Sequence, residues 1–147
     1  MTITQISVYL ENARGALRAL TKTLADAGID LLALSVADTE SFGIVRIVVR
    51  EKDFETAMNT LRENGFMAKK NHVFCVAVPN RPAGLDSVLA VIDGLGVSVE
   101  YMYSFNYNIE GSALMILRLS SSDREALAAQ LTERGVRLIG QESVNVL

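Results

Sequence analysis

The chain has 147 residues, half of them hydrophobic, a formal net charge of −3 and a mean hydropathy of +0.26. No lysine- or arginine-rich block occurs, which argues against nucleic acid or an anionic membrane as the main partner. A single cysteine, Cys75, and a single histidine, His72, rule out an intrachain disulfide framework and a zinc site within one chain.

The chain opens with an alternating run, Ile6, Val8 and Leu10, read as a strand. A helix is predicted from about Arg14 to Ala27, with Leu17, Leu20 and Leu24 on its apolar face and Gly28 as its stop. Leu31 to Ala37 reads as a strand, Glu40 to Gly43 as a turn, and Ile44 to Val49 as a β-branched strand. A second helix is expected from Asp53, as N-cap, to Asn64, and a further strand from Phe66 to His72. The order then repeats without a linker. Val73 to Val78 is a strand and Pro82 to Gly94 a helix with Leu85, Val88 and Ile92 as its stripe. Val97 to Tyr107 and Ala113 to Leu119 are strands joined by the turn Asn108 to Gly111. Ser122 to Arg134 is a helix with Ser122 and Glu125 as a capping box, and Val136 to Val144 closes the order.

The repetition is visible residue by residue. The stretch Glu11-Asn12-Ala13-Arg14-Gly15-Ala16-Leu17 returns 68 positions later, counting Leu17 to Leu85, within Val78-Pro79-Asn80-Arg81-Pro82-Ala83-Gly84-Leu85. At that offset Gly28 matches Gly96, Gly43 matches Gly111 and Arg50 matches Arg118; after a small insertion Gly65 matches Gly135. This is an internal duplication. Each copy reads β-α-β-β-α-β, so the fold class is α+β: two ferredoxin-like repeats, each an antiparallel sheet with helices on one face. The domains are placed at residues 1–71 and 72–147. Half-hydrophobic copies this small are expected to pack on each other and on a second chain. The N-terminus shows no signal-peptide pattern and no apolar run is long enough to span a membrane, so a soluble, cytoplasmic protein is expected.

The turn after the first strand of each copy is the candidate site. Pro82 suits the first turn of a helix, and Gly84 leaves space for a close approach to the backbone. A helix N-terminus with unpaired N–H groups can meet a carboxylate. Asn12 and Asn80 can donate and accept hydrogen bonds, or could simply cap the helices. On this reading Gly84→Val impairs ligand binding more than folding, and Leu85→Ala, at a core position, does the reverse. A second feature is confined to the later copy. Tyr101, Tyr103, Phe105 and Tyr107 alternate along one strand where the earlier copy has Ala33, Ser35, Ala37 and Thr39. Tyr101 and Tyr103 could line a pocket or an interface, on either face of the sheet.

These motifs resemble those of the ACT domain, a small ferredoxin-like module that binds amino acids and regulates metabolic enzymes or transcription. The resemblance rests on Asn80-Arg81-Pro82-Ala83-Gly84-Leu85 with Gly96-Val97-Ser98-Val99, and on Glu11 to Leu17 with Gly28-Ile29-Asp30-Leu31. It covers essentially the whole chain twice, as in small stand-alone proteins made of two ACT repeats. It implies ligand contacts from Asn12, Ala13, Arg14, Gly15, Ala16 and Asp30 in one copy. In the other it implies Asn80, Arg81, Pro82, Ala83, Gly84 and Ser98. Copy one lacks the proline and places its glycine one residue earlier.

The expected function is a non-catalytic, amino-acid-binding regulatory protein, a sensor or a regulatory subunit. It is expected to form a homodimer and to use no cofactor, no metal and no catalytic residue. Three rivals stand beside it. A ligand-free dimeric scaffold needs only the fold. An acylphosphatase-like enzyme would use Arg14 or Arg81 with a neighbouring Asn, but no nucleophile–base pair accompanies them. RNA binding would need a basic face, and the chain is acidic.

Overall fold

The computed structural model describes residues 1–38 and 41–147. Thr39 and Glu40 lie outside the described residues, and with them part of the turn expected at Glu40 to Gly43 and the last of the four positions compared with the aromatic strand. The chain divides into two compact units. One comprises Thr4–Asn71, the other His72–Leu147 together with Met1–Ile3. They are called here the N-terminal and C-terminal units.

The N-terminal unit runs β1 (Ile3–Glu11), α1 (Ala16–Asp26), β2 (Ala33–Asp38), β3 (Phe42–Val48) and α2 (Glu51–Glu63), then enters β4 (Met67–Pro79). Its strand order is β2-β3-β1-β4, with β3 antiparallel to both β1 and β2. Alternation does what the sequence reading expects. Ile6, Val8 and Leu10 of β1 and Val45 and Ile47 of β3 turn one way. They meet Leu20 and Leu24 of α1 and Phe54, Ala57, Met58 and Leu61 of α2 in a closed core.

The C-terminal unit continues from β4 through α3 (Gly84–Gly94), β5 (Val99–Ile109), β6 (Ser112–Leu119), α4 (Arg124–Glu133), β7 (Arg137–Ile139) and α5 (Gln141–Asn145). Its order is β7-β4-β6-β5, the same arrangement as in the first unit. Phe74, Val76, Val78, Leu117 and Leu119 pack beneath Val88 and Ile92 of α3 and Leu127 and Leu131 of α4. Each unit is thus a βαββαβ-type fold with an antiparallel sheet and helices on one face.

Several elements differ from the sequence reading, each for a local reason. The two strands expected at Phe66–His72 and Val73–Val78 are one strand, β4, because no turn residue interrupts them. Helix α2 begins at Glu51 rather than at Asp53, which falls in its first turn and adds an acidic group to the helix start. On α4 the cap is Asp123, whose carboxylate accepts from the Ala126 N–H at 3.0 Å, and not Ser122. The last strand stops at Ile139. The N–H groups of Ser143 and Val144 turn back to the Gly140 carbonyl and start α5, so the expected strand to Val144 ends halfway. Leu17 and Leu85, placed in the core by helical spacing, are 38% and 37% exposed, while Leu20, Leu24, Val88 and Ile92 are buried.

Candidate functional site

The loop between the first strand and first helix is built the same way in both units. In the N-terminal unit the Ala13 N–H donates to the Glu11 carbonyl at 2.8 Å, closing a three-residue turn centred on Asn12. The Ala16 N–H then donates to the Ala13 carbonyl at 3.2 Å, closing a β-turn across Arg14 and Gly15. In the C-terminal unit the matching bonds run from Arg81 to Pro79 at 2.9 Å and from Gly84 to Arg81 at 3.0 Å. Asn80 is the centre of the first turn, and Pro82 and Ala83 are the middle of the second.

This geometry corrects the role expected for Pro82. It is not in the helix, which starts at Gly84; it occupies the second position of the β-turn, where its fixed φ is favoured. The third position must be left-handed. Gly15 takes it at φ 84° and Ala83 at φ 65°. The one-residue displacement of the glycine between the copies therefore leaves the turn unchanged. Gly84 answers a different need. A β-carbon there would stand 2.1 Å from the Pro79 carbonyl oxygen. What approaches Gly84 is the chain's own backbone.

Neither Asn caps its helix. The N-cap residues of α1 and α3 are Gly15 and Ala83, and neither helix has a side-chain cap. The Ala16 and Gly84 N–H groups are taken by the turns, and the first helical bonds come from Ala19 and Ser87, so the N–H groups of Leu17, Arg18, Leu85 and Asp86 are the ones without an intrahelical acceptor. Each loop opens onto a cavity. In the N-terminal unit it measures about 240 Å³ and is lined by Glu11, Asn12, Ala13, Ala16 and Leu17 with Val36 and Asp38 of β2. In the C-terminal unit it measures about 280 Å³ and is lined by Arg81, Gly84, Ser87, Val88 and Val91 with Ser112 and residues 134–137.

Of the residues expected to contact a ligand, Asn12, Ala13, Ala16, Arg81 and Gly84 line these cavities. Arg14, Gly15, Asn80, Pro82 and Ala83 shape the same loops without being part of the lining. Asp30 and Ser98 lie elsewhere. β1 ends at Glu11 opposite Phe42, whereas Leu32 pairs with Val48 at the other end of β3. Asp30 is therefore roughly 20 Å from the Asn12 loop within its unit, given the rise per strand residue. There its carboxylate meets Arg50 at 3.0 Å. At the matching end of the C-terminal unit, the Ser98 N–H donates to the Ser120 hydroxyl at 2.8 Å.

The aromatic strand is oriented by its register. Met102 pairs with Leu117, which faces the helices, so Tyr103, opposite Ile116, faces away from them. Tyr101, opposite Arg118, shares that face. Tyr103 is buried and Tyr101 half-buried, and neither lines either loop cavity. Glu11, Asp38, Ser112, Arg134 and Arg137 line the cavities but were missed as site residues. The signal available was the contrast between copies: Arg134 aligns with Asn64 and Arg137 with Met67.

Cys75 is buried in β4, and burial pushes its thiol from 9.0 up to about 12. It is a neutral packing group at physiological pH. Among the described residues no three His, Cys, Asp or Glu side chains gather as a metal site.

A crystal structure of a protein from Bacteroides thetaiotaomicron is 33% identical, with a TM-score of 0.87 over 100% of this chain and 98% of that one. The ligand-free regulatory subunit of aspartate kinase from Thermus thermophilus has a TM-score of 0.63 at 13% identity, over 90% of this chain and 92% of that one. The corresponding subunit from Thermus flavus has a TM-score of 0.62 at 12% identity, over 89% and 91% of the two chains. No curated protein matches. The family profile described as an ACT domain pair matches residues 1–141. With the duplicated loop and the two βαββαβ units, that match makes the chain a member of the ACT domain family, as a tandem pair.

Proposed function

We propose that this chain is a non-catalytic regulatory protein that binds a free amino acid, as a sensor or as the regulatory subunit of a metabolic enzyme. One observation carries the reading: both units close the start of their first helix with the same two-turn loop, which leaves the helix uncapped beside a cavity. A free amino acid needs donors for its carboxylate and acceptors for its ammonium. The uncapped helix starts offer donors. Glu11, Asn12 and Asp38 offer acceptors in the N-terminal unit. Regulatory subunits of aspartate kinase share the fold, which supports an enzyme partner of that kind. The contacts proposed are Asn12 to Ala16 and Asn80 to Gly84. Asp30 and Ser98 would reach a ligand only as contacts brought by a second chain.

The proposed assembly is a homodimer in the cytoplasm. Leu34 and Val36 of β2 are 38% and 52% exposed. They pair with Ile47 and Val45, so they lie on the helix-bearing face but beyond the cover of the helices. A second chain would bury this strip. The same strip favours the second reading, a dimeric scaffold without a ligand. No helix among the described residues is long and apolar enough to cross a membrane.

A thermal-shift screen of single L-amino acids against their decarboxylated amines separates these readings. At 100 times its dissociation constant a ligand adds about 2.7 kcal/mol to unfolding, a rise of several degrees. Amino acids that stabilise while the amines do not support the sensor. Equal shifts, or none, leave the scaffold.

A further inference from the structure

The two loop cavities carry opposite charge. Among the described residues, the N-terminal one is lined by the carboxylates of Glu11 and Asp38 and by no cation. The C-terminal one is lined by Arg81, Arg134 and Arg137 and by no carboxylate. None of the three arginines has a counterpart in the first copy, where Ala13, Asn64 and Met67 stand at the matching positions. The duplication has kept the loop and changed the chemistry beside it.

The cations are spread along the cavity rather than gathered at one point. The lining follows α3 from Gly84 to Val91, roughly 10 Å along the helix axis. Arg81 belongs to the loop before the helix. Arg134 lies at its other end, with Nη1 3.5 Å from the position of a β-carbon on Gly94. Arg137 enters from β7 and is bridged by Glu110 at 2.8 Å. Among the described residues, the Arg81 and Arg134 side chains have no ion-pair partner. Val88, Val91 and Val136 supply the apolar surface between them. The start of α3 itself already carries Asp86 in its first turn, so the helix dipole is not the main attraction. Guanidinium groups in a concave, partly apolar site hold carboxylates through paired N–H donors and focus their field.

From this arrangement we infer that the cavity beside α3 binds a small dicarboxylate, an acidic amino acid or its amine-free analogue, with one carboxylate shared by Arg81 and Arg137 and the other near Arg134. The inference rests on the amino-acid-binding reading for its place but not for an α-amino group. Inorganic phosphate offers one compact charge and cannot reach both ends of the cavity.

The test is calorimetric titration of the full chain with L-glutamate, L-aspartate, succinate, glutarate, L-glutamine, L-leucine and inorganic phosphate, at low and at physiological salt. Dicarboxylates should bind, more weakly at higher salt. Arg134→Gln and Arg137→Gln should each lower their affinity about tenfold, as expected for loss of one charge-assisted contact. Arg124→Gln, at the first residue of α4 and outside the cavity lining, should not. Binding of succinate and glutarate alone would uphold the dicarboxylate site and remove the amino-acid reading from this cavity. Leucine or glutamine binding as tightly as glutamate, unaffected by the two substitutions, would overturn the dicarboxylate site and leave the amino-acid reading. Phosphate binding as tightly as the dicarboxylates, or no binding at all, would overturn the inference and leave the amino-acid reading to the thermal-shift screen.

Discussion

The Pro79 carbonyl oxygen fills the space that a side chain on Gly84 would need, 2.1 Å from the position of its β-carbon. The same oxygen accepts from the Arg81 N–H at 2.9 Å, so it cannot swing away without opening the first turn of the loop. In the N-terminal unit Ala16 occupies the equivalent position and has its β-carbon.

Gly84→Ala and Gly84→Val should therefore destabilise the C-terminal unit by about 1–3 kcal/mol, the usual cost of overpacking. Ala16→Gly should change stability by less than about 1 kcal/mol. Urea unfolding midpoints check this. The expectation that Gly84→Val acts mainly on binding is replaced: the backbone contact puts the loss in folding. Leu85→Ala, at a 37% exposed position, should cost less than the roughly 2–5 kcal/mol of a core truncation.

Ala83 sits at φ 65° where Gly15 sits at φ 84°. An L-residue pays roughly 1–2 kcal/mol for that conformation, partly offset by the greater freedom a glycine loses on folding. Ala83→Gly should stabilise the protein by about 0.5–1 kcal/mol, and Gly15→Ala should destabilise it by a similar amount. A shift in the same direction for both substitutions would contradict the shared turn.

Asp123→Ala removes the cap of α4 and should cost about 0.5–2 kcal/mol, whereas Ser122→Ala should cost little. Thermal melts of the two variants decide between the observed cap and the capping box read from the sequence.

The Cys75 thiol, raised from 9.0 to about 12 by burial, stays protonated in the folded chain where the unfolded chain has already ionised. The folded state then holds the extra proton. Its contribution to stability is intact below pH 9 and is lost as pH rises from 9 toward 12, by up to about 1.4 kcal/mol per pH unit. Cys75→Ala should flatten this part of the stability profile. A thiol reagent at neutral pH should label the wild-type chain only when it unfolds.

Much of the fold was legible because the signals repeat. Gly28 and Gly96 follow the first helix of each copy, and Ile6-Val8-Leu10 and Phe74-Val76-Val78 give both first strands. What failed to show was tertiary. Helical spacing puts Leu17 and Leu85 on the apolar face, but it does not say that full burial of the leucine–valine stripe begins only at Leu20 and Val88. Pro82 fits a helix start and a β-turn equally well; only the Gly84 to Arg81 bond decides between them. Asp30 and Asn12 are linked by the family motif, yet the helix between them, α1, carries each to an opposite end of the sheet. Arg134 and Arg137 sit near the chain's end, far in sequence from the loop whose cavity they line.

The most direct measurement of the central claim is a nitrogen–proton correlation spectrum of the full chain, titrated with an equimolar pool of the twenty L-amino acids and then with its members singly. The account predicts saturable shifts of the loop and helix-start amides, those of Leu17, Arg18, Leu85 and Asp86 above all, with one or a few members, and none with the matching amines. Unmoved loop amides, or shifts confined to residues remote from both loops, would contradict it.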